Sequence, residues 1–128
     1  MSAQADQALR EAVTRAYMDF YAEGFKQNDA RLIDKVVKYP LAHTRGGVTR
    51  LLDQYPVNPA RLKAEKQWDH STDWHFDILA ISDTEAHTVA RAVRRRADGS
   101  RIESVHAFYA FTLTTDGWKI YALADLET

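Results

Sequence analysis

The chain is expected to be α+β, on three observations. Apolar residues recur at three- and four-residue spacing in its first part, alternate every second residue in its last, and two Asp-Gly pairs divide the alternating part as hairpin turns. Helical segments followed by an antiparallel meander give the α+β order.

The first element runs from Asp6 to about Phe25. Leu9, Ala12, Val13, Ala16, Tyr17, Phe20 and Gly24 fall on one stripe of a helix, with Asp6 as its expected N-cap and Gly24 with Asn28 marking its end. Asp29 caps a second, shorter helix carrying Leu32, Ile33, Val36 and Val37, which is expected to stop near Tyr39 because Pro40 disfavours helical geometry in the residue before it. From Leu41 to Val48 the chain is an extended arm with a Gly46-Gly47 turn. A third helix follows Pro59 and closes at Trp68, after a Tyr55-Pro56-Val57-Asn58-Pro59 loop placed to cover a cavity mouth.

After Ser71 the period becomes two. Trp74 to Ile81, His87 to Arg96, Ile102 to Thr114 and Trp118 to Leu126 are the expected strands, joined through Asp98-Gly99 and Asp116-Gly117. The third of these is apolar on both faces: Val105, Ala107, Tyr109, Phe111 and Leu113 on one, Ile102, Phe108 and Ala110 on the other. A sheet wetted on one side shows cleaner alternation, so one face is expected on the helices and the other on a second copy of the chain.

Composition narrows the function. The 128 residues suit one domain spanning 1–128, and 45% hydrophobic with 27% charged residues is the balance of an ordinary core. The 17 Lys and Arg nearly match the 18 Asp and Glu, which argues against a nucleic-acid or anionic-membrane binder. Cysteine is absent, so disulfide scaffolds, thiolate metal sites and cysteine nucleophiles are excluded. The five histidines show no metal-ligand spacing, and neither a phosphate-cradling glycine loop nor a dinucleotide fingerprint is present, so no metal and no cofactor is expected. The stretch up to Asp6 lacks the basic-then-apolar plan of a signal peptide and no apolar run reaches membrane-spanning length, which makes a cytoplasmic location the expectation.

The ordered set of features carries a resemblance. The aromatic-rich first helix ending in Gln27-Asn28-Asp29, the short second helix, the Pro40 arm, Trp68 closing helix three, and the Asp98-Gly99 and Asp116-Gly117-Trp118-Lys119-Ile120 hairpins together resemble the nuclear transport factor 2-like superfamily, which includes SnoaL-like proteins and ketosteroid isomerases. The segments Tyr39-Pro40, Gly46-Gly47-Val48 and Trp68-Asp69-His70-Ser71 are similar to an uncharacterised SnoaL-like subgroup. The resemblance implies a curved antiparallel sheet wrapped by three helices into a cone, an apolar pocket at the open end and a homodimer through the sheet. Such a fold serves isomerases, dehydratases, cyclases and plain binding modules, so it does not fix the activity.

Isomerases of this kind use a carboxylate base and a donor that stabilises an enolate-like oxygen. Tyr21 falls where the resemblance places the donor tyrosine. The arm that carries the base reads Leu41-Ala42-His43-Thr44-Arg45, with no carboxylate, which leaves His43 as its replacement. His70, beside Asp69, is the other acid–base candidate. Tyr17, Tyr39, Trp68, Trp74 and Phe108 are expected wall residues. His106 and Arg91 are polar ones, Arg91 suiting a carboxylate-bearing ligand if its face turns inward, and Asp125 is a possible partner for His106. Arg94, Arg95, Arg96 and Arg101 are read as a solvated hairpin tip. Each of these groups also has a purely structural reading. The function expected is therefore capture of a hydrophobic or aromatic small molecule, with cofactor-free acid–base catalysis or non-catalytic binding and protein association as the open alternatives.

Overall fold

The computed structural model describes residues 2–126. Its first element is a continuous helical rod in three parts: α1 (Ala3–Arg15), a π-helical segment (Ala16–Ala22) and α2 (Glu23–Gln27), with the backbone right-handed helical through both junctions. The rod starts earlier than the stripe suggests. Ser2 is the N-cap, its hydroxyl accepting from the Ala5 amide at 3.1 Å, while Asp6 pairs with Arg10 one turn on at 2.8 Å. Asn28 ends the rod in the left-handed conformation, at φ 58°. Gly24 is not the end but an interior contact: a Cβ there would lie 2.6 Å from Ile33 Cγ1.

Asp29 caps α3 (Ala30–Asp34) by accepting from the Arg31 amide at 3.0 Å. The helix stops well before Tyr39, which corrects the expectation from Pro40. Val36 and Val37 are core residues at the entrance to β1 (Val37–Arg45), and Pro40 lies inside that strand behind a cis peptide bond. β1 turns at Gly46-Gly47 into β2 (Val48–Leu52). α4 (Pro59–Lys66) is capped by Asn58 and ends at Gln67 in the left-handed conformation. β3 (His70–Ile81), β4 (Glu85–Arg95), β5 (Arg101–Thr114) and β6 (Gly117–Leu126) then form the meander.

The strands make one six-stranded sheet in the order β2-β1-β6-β5-β4-β3. Its pairings are antiparallel except β1 with β6, which is parallel, so the curved sheet is mixed. Register shifts at Thr72/His75 and Ile78/Ala80 in β3, and at Tyr121 of β6 opposite Ala110 and Phe111, are bulges of the kind that bend a sheet. The concave face takes the rod: Val13, Tyr17 and Tyr21 pack with Ile33, Leu41, Ala86, Phe111 and Ile120 in one buried cluster. Tyr17 stacks on Phe76 with ring centroids 4.4 Å apart and on Tyr21 at 5.5 Å. Each such aromatic pair contributes about 0.5–1.5 kcal/mol beyond its buried area.

This packing makes Gly24→Ala a test of how closely the rod meets α3. The added methyl has to displace Ile33 or Asp29, so the variant should lose about 1–3 kcal/mol in urea denaturation. Wild-type stability in the variant would contradict the close approach.

Candidate functional site

The rod covers only part of the concave sheet. Beyond it a cavity of about 1040 Å³ opens between the sheet, the π-helical segment, α4 and the Tyr55–Val57 loop. Its floor is small: Ala90 and Ala92 of β4 alternate inward with their side chains buried, and Val105 of β5 lies opposite Ala92. One end is a group of phenols. Tyr17, Tyr21, Tyr55 and Tyr109 all line the cavity; Tyr21 sits edge-on to Tyr55 and Tyr109, and the Tyr21 and Tyr55 hydroxyls share a short hydrogen bond. Burial, above all, raises the pKa of each of the four phenols, and the charge of Asp125 adds to the rise at Tyr55 and Tyr109. They are neutral hydrogen-bonding groups at physiological pH.

Next to the phenols stand a histidine and a carboxylate from two strands. In the parallel ladder His43 lies beside Leu123 and Arg45 beside Asp125, all on one face, and the His43 ring reaches diagonally to Asp125, Nε2 to Oδ2 at 2.9 Å. With the Asp125 carboxylate as the acceptor, Nε2 donates the proton of this bond and Nδ1 is the ring nitrogen left for another partner. Both residues belong to the cavity wall.

The opposite end is charged. Arg94 of β4 lies over the Trp68 ring at 4.4 Å and donates to Glu103 of β5 at 2.7 Å, and Lys66 of α4 donates to the same carboxylate at 2.7 and 2.8 Å. Burial works to raise the Glu103 pKa, but the hydrogen bonds and charges of Lys66 and Arg94 outweigh it and hold the carboxyl below its usual range. Lys63 lies 5.5 Å from the Trp68 ring and donates to the Phe25 and Lys26 carbonyls at 2.5 and 3.1 Å, tying α4 to the C-terminal end of the rod. Burial lowers its pKa.

The residues singled out from the sequence divide accordingly. Tyr17, Tyr21, His43, Trp68 and Trp74 are brought to the cavity. His70 is there too, half-exposed at the mouth, its Nδ1 2.9 Å from the neighbouring Asp69 carboxylate. Arg91 and His106 are cross-strand partners on the opposite side of the sheet from Ala90 and Ala92, where they border the cavity rim; Arg91 does not point inward. Two wall assignments are corrected. The Tyr39 hydroxyl donates to Asp34 at 2.6 Å away from the cavity, and Phe108 lies on the outer face against His87. Asp125 belongs with His43 and not with His106, because β5 places His106 opposite Leu126 and Ala107 opposite Asp125.

Arg94 is also corrected, from hairpin tip to cavity wall. The inward alternation of Ala86, Thr88, Ala90 and Ala92 continues onto it, a signal the sequence contains. Glu103 carries the same signal, continuing the Val105, Ala107, Tyr109 and Phe111 alternation of β5, whereas Tyr55 carries none because its loop is placed by long-range packing. Among the described residues, no cluster of three or more His, Asp or Glu side chains is arranged to hold a metal ion. No helix among them is long and apolar enough to cross a membrane.

Comparison with known proteins places this architecture. The family described as "NTF2-like protein (DUF6841)" matches residues 6–128. The chain belongs to that family. Among solved structures it is similar to an NTF2-like protein of unknown function from Shewanella oneidensis MR-1, at 13% identity and TM-score 0.66 over 92% of this chain and 98% of that one. It is similar also to Kfla4162 from Kribbella flavida, at 19% identity and TM-score 0.63 over 94% and 90% of the two chains. A third is a Novosphingobium aromaticivorans DSM 12444 protein provisionally named a scytalone dehydratase, at 14% identity and TM-score 0.64 over 99% and 89%. At these identities the likeness is one of fold. No curated protein matches the chain.

The Lys66–Glu103–Arg94 cluster gives a pH test. The folded-state pKa of Glu103 lies below its ordinary value of 4.5, so its stabilisation is present above that value and is lost as pH falls through the folded one. Glu103→Gln should therefore flatten the acid limb of a stability–pH profile measured by urea unfolding. Parallel profiles for variant and wild type would count against the cluster.

Proposed function

We propose that this NTF2-like chain binds a small, flat, largely hydrophobic molecule in the cavity and exchanges a proton with it through His43. The observation that carries this reading is the His43–Asp125 pair at 2.9 Å in a cavity wall shared with neutral tyrosines. A carboxylate on one imidazole nitrogen orients the ring and leaves the other nitrogen to take a proton from a ligand or return it, the geometry of general acid–base work. The Tyr21–Tyr55 pair supplies the complementary part. One hydroxyl proton is used in the bond between them and the other remains to donate to a ligand oxygen. A carbonyl or hydroxyl compound with an acidic C–H or a leaving group is the substrate class, and isomerisation or dehydration without a cofactor is the reaction type. A volume of about 1040 Å³ is at the upper end of small-molecule sites and holds a molecule of two or three rings.

The same reading has the outer sheet face meeting a second copy of the chain. That face carries Val89, Phe108 and Ala124 in one cross-strand row and, in the next, His87 and Ala122 on either side of the buried Ala110. A single dimeric species in analytical ultracentrifugation at micromolar concentration is expected; a monomer would refute it.

The proton-exchange claim is checked with 2-tetralone, a flat ketone with acidic α-protons, by following their replacement in D₂O by NMR. Wild-type protein should accelerate exchange over buffer, and His43→Ala should remove about a hundredfold or more of that acceleration. Absence of acceleration, or its persistence in His43→Ala, would overturn the reading.

A further inference from the structure

The charged end of the cavity is built for more than closing it. A structural ion pair matches one cation to one carboxylate. Here Glu103 is shared by Lys66 and Arg94, so the cluster keeps an uncompensated positive charge. All three side chains are half-buried or more, which limits screening by water. Arg94 also lies 4.4 Å over the Trp68 ring, while its bond to Glu103 engages only Nη1. A guanidinium held between a ring and a carboxylate, with donors to spare, is suited to recognising a second carboxylate.

Its position relative to the other end matters equally. On β5, Ala107 lies opposite Asp125, and Glu103, paired with Arg94, comes four residues earlier. At about 3.3 Å per residue, roughly 13 Å of strand separates the proton-exchanging end from the cationic end. Between them run Ala90, Ala92 and Val105, a low apolar floor on which a planar ring can lie.

Building on the small-molecule reading above, we propose that the cavity selects aromatic molecules that carry a carboxylate or comparable anion at the end remote from the reacting oxygen, with Arg94 as the residue that binds it. The oxygen function lies at His43 and Tyr55, the ring over the alanine floor, and the anion against Arg94 beside Lys66. Trp68 and Glu103 are positioning residues, one supporting the guanidinium from its ring face and the other holding Nη1.

The test uses two fluorescent probes that share a ring, 2-naphthol and 6-hydroxy-2-naphthoate, the second bearing a carboxylate at the far end from its hydroxyl. Dissociation constants are measured for both with the wild-type chain, Arg94→Gln and Arg94→Lys. Wild type should bind the naphthoate about tenfold or more tightly than the naphthol, the ratio should fall to about one in Arg94→Gln, and Arg94→Lys should restore part of it. Raising the salt concentration should shrink the wild-type ratio. Equal affinity of wild type for the two probes would overturn the anion selectivity while leaving the cavity reading in place. So would an unchanged ratio in Arg94→Gln, including the case where both affinities drop together, because that is the signature of a purely structural arginine. Failure of both probes to bind the wild-type chain would overturn the cavity reading itself.

Discussion

The seating of one helix on the sheet by Tyr17 and Tyr21 governs the rest of the structure. The two side chains project from the same helical segment. Both are buried, and both meet Tyr109, which makes them the boundary between a packed half and an open half of the concave sheet. On one side, Val13, Ile33, Leu41, Phe111 and Ile120 are fully or almost fully buried. On the other side the rings become the cavity's inner wall. Burying a phenol is favourable only if its hydroxyl finds a partner, and here Tyr21 finds Tyr55 at the same end of the cavity. The core therefore delivers polar hydrogens to the site as a by-product of its own packing.

The open half follows from side-chain size as much as from backbone shape. β4 places Ala90 and Ala92 where larger residues would fill the space above them, and bulges in β3 and β6 bend the sheet round that space. The two ends then take different electrostatics from the strands that reach them. β1 and β6 bring a histidine and a carboxylate together through a parallel ladder. β4, β5 and α4 bring two cations to one carboxylate. The difference between a histidine–carboxylate end and a cationic end gives the cavity a direction.

Much of this architecture is encoded locally and was legible. Asn28 and Asp29 mark the helix junction because both act within their own turn, and the glycine pairs at the hairpins supply the positive φ those turns require. Alternation along β5 also separates Val105, Ala107, Tyr109 and Phe111 from Phe108 and Ala110, but which set faces inward is decided by the packing of the sheet on the helices. What the sequence concealed depends on partners far along the chain. Asp6 is a good cap by type, but Ser2 takes that role and Arg10 claims Asp6. α3 ends before Pro40 exerts any effect, since Val36 and Val37 are needed in the core and Val37 enters a strand beside Ile120. The pairing of His43 with Asp125 spans 82 positions and depends on the β1–β6 register, the one parallel pairing in the sheet. Tyr39 and Phe108 looked like wall residues because they are aromatic. The register decides which aromatic residues face the cavity, and it sends these two elsewhere.

The central claim is that Asp125 accepts the His43 Nε2 proton and so leaves Nδ1 for a ligand in the cavity. Nitrogen-15 NMR of histidine-labelled protein at neutral pH reads it directly, with Asp125→Asn assigning the effect. The account predicts one His43 tautomer, protonated at Nε2 and bare at Nδ1, whose Nδ1 signal moves on adding 2-naphthol. A rapid average of both tautomers, indifferent to the substitution at Asp125 and to the naphthol, would contradict it.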